Sequence, residues 1–323
     1  MMKKYDVITS GYVSMDRIIN VLSPLKVGFT SLVQNSDNAK VYYGGCSVNI
    51  AYELAKLGMK TLPYIRVGDD YKEIGFYDFL KDGGVCLDAI KTVPGETTSN
   101  CYLLEDAEKN HVTVFYPGAM DGKYAGSMRD EFFEQSKIGV LTVGSYCDNL
   151  EFYTKCKKHD LPLVFGMKAD FDAFPRAFLK ELLNYSKIIF ANNSERETIE
   201  RIFGMTSITE LFDTGKAEII VITMGSRGSM CYQKTENSFT ASEIRIAHCS
   251  NVVDTTGSGD AYMAGFLYGY LKGFQPNECC NLGSLLSSFI IEKMGCCTNA
   301  PDEASFLKRY EELLAQERKE RNE

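Results

Sequence analysis

At 323 residues, 45% of them hydrophobic, the chain is long enough to bury about 75% of its unfolded surface, as one large domain or two ordinary ones. Its 35 basic against 43 acidic residues give a net charge of −8, which argues against a general binder of nucleic acid or anionic membrane, because neutralising phosphates takes clustered Lys and Arg. Three His and no Trp make a His-rich metal site hard to build.

The N-terminus, MMKKYDVITSGYVSMD, runs from two lysines straight into an alternating, strand-like segment without an apolar leader. No run approaches the roughly 18 apolar residues of a membrane span. Eleven cysteines, with 279/280 and 296/297 adjacent and no Cys-x-x-Cys pair, read as reduced thiols of a cytoplasmic protein. Residues 5–11, 61–67, 138–143, 162–166, 186–190 and 218–223 are short apolar runs that read as buried strands. The segments 47–58, 70–82, 148–159, 175–184, 194–203 and 258–272 carry helical periodicity. Strands alternating with helices predict an α/β fold with a mostly parallel sheet covered on both faces, a three-layer core.

Two stretches break the rhythm. Residues 28–43 have strand composition and polar alternation, and 99–116 read as a hairpin, SNCYLLE and HVTVFY around DAEKN. Without crossover helices, both are expected in a small β-sheet lid, about residues 14–43 and 96–117, over a core domain spanning 1–323. The tail AQERKERNE (315–323) reads as a solvated helix end.

The most informative segment is NVVDTTGSGDAYMAGFLYGY, residues 251–270. Strand-like Val252–Val253 leads into a turn with Gly257 and Gly259, then a helix. Such a turn aims backbone N–H groups outward at a helix N-terminus, where the dipole adds about half a positive charge, and so suits a phosphate. Asp260, in the first helical turn, is placed to take a proton from an incoming hydroxyl. Taken alone, the segment would be a glycine-rich cap with an N-terminal acid. The chain has no P-loop, and no Gly-x-Gly-x-x-Gly follows its first strand. It does have YYGGCSVNIAYELAKLG (42–58), NNSERE (192–197) and TMGSRGS (223–229).

Together with Gly11 and Asp16 in SGYVSMD, these segments resemble the ribokinase (PfkB) family of sugar and nucleoside kinases over essentially the whole chain. The resemblance implies a ribokinase-like α/β core with a β lid, and ATP- and Mg²⁺-dependent phosphorylation of a hydroxyl. It implies Asp260 as the base, with the amides of Gly257, Ser258 and Gly259 as an anion hole. Asn192 and Glu195 match the family's Asn-x-x-Glu, which orders Mg²⁺ and its waters; a helix cap with a surface acid is the plainer reading of that pair. Asn192, Thr223, Gly225, Gly228, Gly257 and Gly259 match ATP-contacting positions. Asp16, Gly45 and Asn49 match positions that bind sugar hydroxyls, against plainer roles in a turn and a helix cap. A K⁺ site of relatives matches Asp254, Thr256 and Gly295, and in relatives the lid can serve as a homodimer interface.

The acceptor is read from departures. Cys46 stands where many sugar kinases of this family carry Lys, so a neutral acceptor is expected, with Arg66 as the other candidate cation. FYPGAM (115–120) resembles bacterial adenosine kinases, and YYGGxxxN with GCCTNAP (295–301) resembles archaeal nucleoside kinases. A purine needs a flat apolar slot, which Tyr102, Phe115 or Tyr116 on a lid strand could supply; core or dimer packing is the alternative for each. Tyr12, which follows Gly11 where related enzymes often carry a small polar residue, is expected to fill part of that pocket. The expectation is a nucleoside kinase acting on the 5′-hydroxyl of a neutral ribonucleoside, adenosine first. A kinase for free ribose or fructose comes second. A non-catalytic nucleotide- or sugar-sensing protein comes third, and intact Asp260, Gly257, Gly259 and Glu195 speak against it.

Overall fold

Strands and helices alternate in the computed structural model, which describes residues 3–108, 110–168 and 170–322. The chain begins β1 (Tyr5–Ser10), β2 (Ser14–Asn20), β3 (Tyr42–Gly44), α1 (Cys46–Lys56), β4 (Thr61–Tyr64), β5 (Arg66–Val67), α2 (Phe76–Asp82) and β6 (Lys91–Thr92). It continues through β7 (Asn100–Glu105), β8 (His111–Tyr116), α3 (Asp130–Glu134), β9 (Ser136–Leu141), α4 (Tyr146–Lys158), β10 (Leu163–Gly166) and α5 (Arg176–Tyr185). Then come β11 (Ile188–Asn192), α6 (Asn193–Phe203), α7 (Leu211–Thr214), β12 (Ile219–Thr223), β13 (Ser229–Lys234) and β14 (Phe239–Ile244). The helices α8 (Ser258–Leu271), α9 (Pro276–Ile290) and α10 (Glu303–Asn322) close the order.

The central sheet has the order β14-β13-β12-β11-β10-β9-β1-β4. Its six strands from β12 to β4 run parallel, and β13 and β14 add an antiparallel edge. Successive residues of each parallel strand go to opposite faces. Ile8, Leu141, Phe165, Ile189 and Ile220 pack with α4, α5 and α6. Val7, Val140, Val164, Ile188 and Val221 pack with α1, α8, α9 and α10. Because both faces are covered, the strands read as unbroken apolar runs, which is why they were visible in the sequence. Among the described residues no helix is long and apolar enough to cross a membrane.

A second sheet, β3-β2-β7-β8, supplies the expected lid. Three sequence expectations need correcting. Residues 28–43 contribute only β3 and an isolated bridge, Val21–Val33; the strand lies earlier, at Ser14–Asn20. The turn-forming run QNSDNA explains this, since Asn35 spends its side chain on the backbone of Ile18 and Asn20 instead of extending a ladder. Val252–Val253 is not a strand but a loop, with both side chains exposed. The helix expected over 70–82 starts only at Phe76, because Gly75 turns left-handed (φ 81°) at its N-cap.

Candidate active site

In an open parallel α/β sheet, ligands bind beyond the carboxyl ends of the strands. Here those ends bring Thr142 (after β9), Lys168 (after β10), Asn192 with Glu195 (β11 into α6) and Thr223 (β12) to one cavity. Gly259 and Asp260 of α8 complete its wall, around about 460 Å³ of empty space that includes its open mouth.

Gly257 caps α8 at φ 78°, and a Cβ there would come within 2.8 Å of Cys296 Cβ. A side chain is therefore excluded twice, by backbone conformation and by space. The Ser258 and Ala261 amides bond Thr255 and Gly257 carbonyls, whereas those of Gly259 and Asp260 have no acceptor among the described residues. Nothing lies within 4 Å of a Cβ built on Gly259. The helix thus presents unpaired N–H donors to open space, a setting that favours an anion.

Asp260 is 5% exposed and accepts a 2.8 Å hydrogen bond from Asn49 Nδ2. Asn49 is itself oriented, its Oδ1 accepting from Cys297 Sγ at 3.4 Å. Asp16, on β2, meets Asn49 over Gly44: a Cβ on Gly44 would lie 3.2 Å from Asp16 Oδ2 and 3.3 Å from Asn49 Oδ1. Burial pushes the Asp16 carboxyl up to about 6, against hydrogen bonds from Ser14 and Cys101, with Asp254 and Asp260 adding to the rise. The GGCSVN segment thereby places Asp16, Asn49 and Asp260 side by side, from three separate elements.

Asn192 and Glu195 form a capping box: Asn192 Oδ1 accepts from the Glu195 amide at 2.9 Å, and Glu195 Oε2 accepts from the Asn192 amide at 2.8 Å. The cap reading and the site reading both hold, because the same pair lines the cavity. Burial raises the Glu195 carboxyl, opposed by the Asn192 amide and by Lys168. Gly225 (φ 58°) and Gly228 (φ 86°) make the β12–β13 turn and are not among the cavity-lining residues. Asp254 accepts from the Thr256 amide at 2.9 Å and the Gly295 amide at 3.0 Å, which makes these three residues neighbours.

The lid register separates the aromatic candidates. Asp16 pairs with Cys101 and Cys101 with Phe115, so these share one face. Tyr102 and Tyr116 fall on the other: Tyr102 lies under the Arg17 guanidinium, and Tyr116 Oη donates to Glu96. The stacking expectation for Tyr102 and Tyr116 is corrected by the two-residue period of a strand. Phe115 remains, its ring 4.9 Å from that of Tyr12. Arg66 is likewise spent: it is buried, paired with Asp148, and donates to the Ala119 carbonyl at 2.8 Å.

Two residues carry no sequence motif. Lys168 stands exposed to the cleft yet ringed by protein. Cys46, Asp260 and Glu195 hold its ammonium above the ordinary lysine range. Burial pushes Cys46 up to about 12, so it is a neutral thiol at neutral pH. Glu53 on α1 is fully buried, and neither carboxyl oxygen has a partner among the described residues. Burial, then Asp260, raises it far above the usual carboxylate range. Its contribution is present below about pH 4.3 and is lost as pH rises toward its folded value. Glu53→Gln is therefore expected to raise Tm by about 2 °C at pH 8 and by less at pH 5. An equal change at both pH values in thermal unfolding would refute the buried neutral acid.

The sequence pattern of the pfkB family carbohydrate kinases matches residues 4–303. The chain is 28% identical over 304 residues to the nucleoside kinase of Methanocaldococcus jannaschii, covering 93% of this chain and 95% of that relative. It is 25% identical over 312 residues to the nucleoside kinase of Methanothermobacter thermautotrophicus, covering 96% and 97%. The crystal structure of the M. jannaschii enzyme, an archaeal member of the ribokinase family, superposes with a TM-score of 0.85 at 26% identity, covering 97% of this chain and 100% of that one.

Proposed function

Because the chain belongs to the pfkB family of carbohydrate kinases, and is a phosphotransferase with an alcohol group as acceptor, we propose that it transfers the γ-phosphate of ATP to the 5′-hydroxyl of a neutral ribonucleoside, adenosine first. The observation that carries this reading is the Asn49–Asp260 hydrogen bond at the mouth of α8, where the acceptor side meets the phosphate side. Asp16 and Asn49 read the ribose hydroxyls, a carboxylate that accepts two hydrogen bonds beside an amide that both gives and accepts. Asp260 takes the 5′-hydroxyl proton as that oxygen bonds to the γ-phosphorus and the bond to the ADP oxygen breaks. The Gly257–Gly259 turn holds the charge spread over the transferring group. Glu195 and Asn192 fit Mg²⁺, because Glu195 Oε1 is free of the capping box and this ion keeps most of its waters. When bound, Mg²⁺ neutralises phosphate charge. K⁺ is assigned to the loop that joins Asp254, Thr256 and Gly295.

A neutral acceptor is supported by the un-ionised Cys46 thiol and by Arg66 being bound to Asp148. Phe115 and Tyr12 give the base an aromatic neighbour. One observation favours a second reading, a free monosaccharide such as ribose or fructose: the Tyr12–Phe115 contact closes part of the slot a base would enter. ADP release from ATP and Mg²⁺ across ribonucleosides, ribose, fructose and a sugar phosphate decides between them. Turnover on free sugar alone would remove the nucleoside assignment, and full activity in excess EDTA would sink the mechanism.

The Asp16 carboxylate gives this reading a pH signature. Only the ionised form accepts hydrogen bonds at both oxygens, and burial pushes the Asp16 carboxyl up to about 6. Acceptor kcat/KM is expected to fall about tenfold per unit below about pH 6, with nucleotide binding unchanged. Asp16→Asn should abolish that acid limb; a limb that persists would assign it to another group.

A further inference from the structure

Lys168 is the one basic side chain among the residues lining the cavity, and no hydrogen bond or ion pair holds its ammonium among the described residues. The backbone leading to it is nonetheless anchored. It lies just past the end of β10, and the Met167 amide ties this segment to the Phe190 carbonyl of β11 at 3.0 Å. The lysine is thereby set between the strand ends that carry Thr142 on one side and Asn192 on the other.

The charge balance gives that position a meaning. Asp260 and Glu195 put two carboxylates on a cavity that also holds the N-terminus of α8, which invites an anion. An anionic group moving between Asp260 and Glu195 would meet repulsion from both, and unpaired amides offset this only with partial charges. Among the described residues that line the cavity, Lys168 supplies the one full positive charge beside them. It feels Asp260 and Glu195 together, and no partner ties down its ammonium, so it can bond a newcomer.

We propose that Lys168 is a catalytic residue that bonds the transferring phosphoryl group in flight between the acceptor oxygen and ADP. The proposal rests on the reading of the chain as a kinase with Asp260 as base. Its consequence is differential: a charge-assisted hydrogen bond gains most when the phosphoryl group lies between its two oxygens, so it lowers the barrier more than it aids binding of either substrate. Lys168 also revises the argument from Cys46, because the site holds a cation after all, on the phosphate side of the acceptor.

Steady-state kinetics of wild type, Lys168→Met and Lys168→Arg with Mg·ATP and the preferred acceptor test this. Lys168→Met is expected to lower kcat by about 10²–10³ with both KM values within about threefold. Lys168→Arg should recover part of the loss. Mg·ADP with aluminium fluoride and acceptor, a mimic of the phosphoryl group in flight, should bind wild type more tightly than Mg·ADP alone, and this gain should vanish in Lys168→Met. Equal ADP affinity and Tm in all three proteins exclude a folding defect. A Lys168→Met kcat within threefold of wild type overturns the proposal. A loss confined to acceptor KM overturns it too, making Lys168 a reader of the acceptor. Wild type inert on every acceptor overturns the kinase reading, a result the variants alone could not produce.

Discussion

Asp260→Asn is expected to lower kcat by about 10²–10⁴ while ADP affinity stays within about twofold. The substitution keeps the shape of the side chain and an oxygen that can still accept from Asn49 Nδ2, so the 2.8 Å contact need not be lost. What it removes is the capacity to accept a proton from the attacking hydroxyl. The site holds no ready substitute. Glu195 is tied into its capping box with Asn192, and Asp16 is engaged by Ser14 on the lid strand. ADP affinity is expected to be preserved because the nucleotide side, as proposed, is built from β11, β12 and the Gly257–Gly259 turn. Single-turnover rates at saturating ATP and acceptor measure the effect. A rate within tenfold of wild type would show that the hydroxyl loses its proton elsewhere. The loss should also be non-additive with Lys168→Met, because both residues act on one transition state.

How much of this was legible before the coordinates depends on whether a feature is local. The six parallel strands announced themselves as apolar runs because a buried parallel strand needs no polar alternation. The turn at Gly257 was legible because a left-handed N-cap with no room for a Cβ demands that residue. Lys168 was not legible, since one lysine after a strand has no signature; only the sheet order sets it opposite Asp260 and Glu195. Glu53 failed for the opposite reason. Its sequence context, YELAK, looks like the polar face of an amphipathic helix, and only packing of α1 against α8 and the 295–297 loop buries it. The lid aromatics show a third limit. Tyr116 and Phe115 are adjacent in sequence and opposite in space, and the register that decides between them lies in the pairing with β2 and β7.

Gly45→Ala tests the acceptor side with a single methyl group. Gly45 sits at φ 98° as the N-cap of α1, and its carbonyl accepts the Val48 amide at 2.9 Å and the Asn49 amide at 2.8 Å. Its neighbour Gly44 pairs with Ser14 of β2, the strand that carries Asp16. One residue therefore joins the element bearing Asp16 to the element bearing Asn49. A Cβ there would fall 2.2 Å from the Tyr12 carbonyl oxygen, 2.7 Å from Val13 Cα and 2.9 Å from the Ser14 nitrogen. All three are backbone atoms, so no side chain can swing away to relieve the clash. Either α1 or β2 must move, and either motion parts Asp16 from Asn49. Unfavourable φ alone costs about 1–3 kcal/mol, equivalent to about 5–150-fold in an equilibrium constant. Acceptor KM is therefore expected to rise by about 10–100-fold, with a lowered Tm, while ADP affinity holds because the proposed nucleotide wall shares none of these atoms. An unchanged acceptor KM in a folded Gly45→Ala protein would mean that Asp16 and Asn49 do not read the acceptor together. Equal loss of ADP and acceptor binding would place the damage in the core and not in the recognition of hydroxyls.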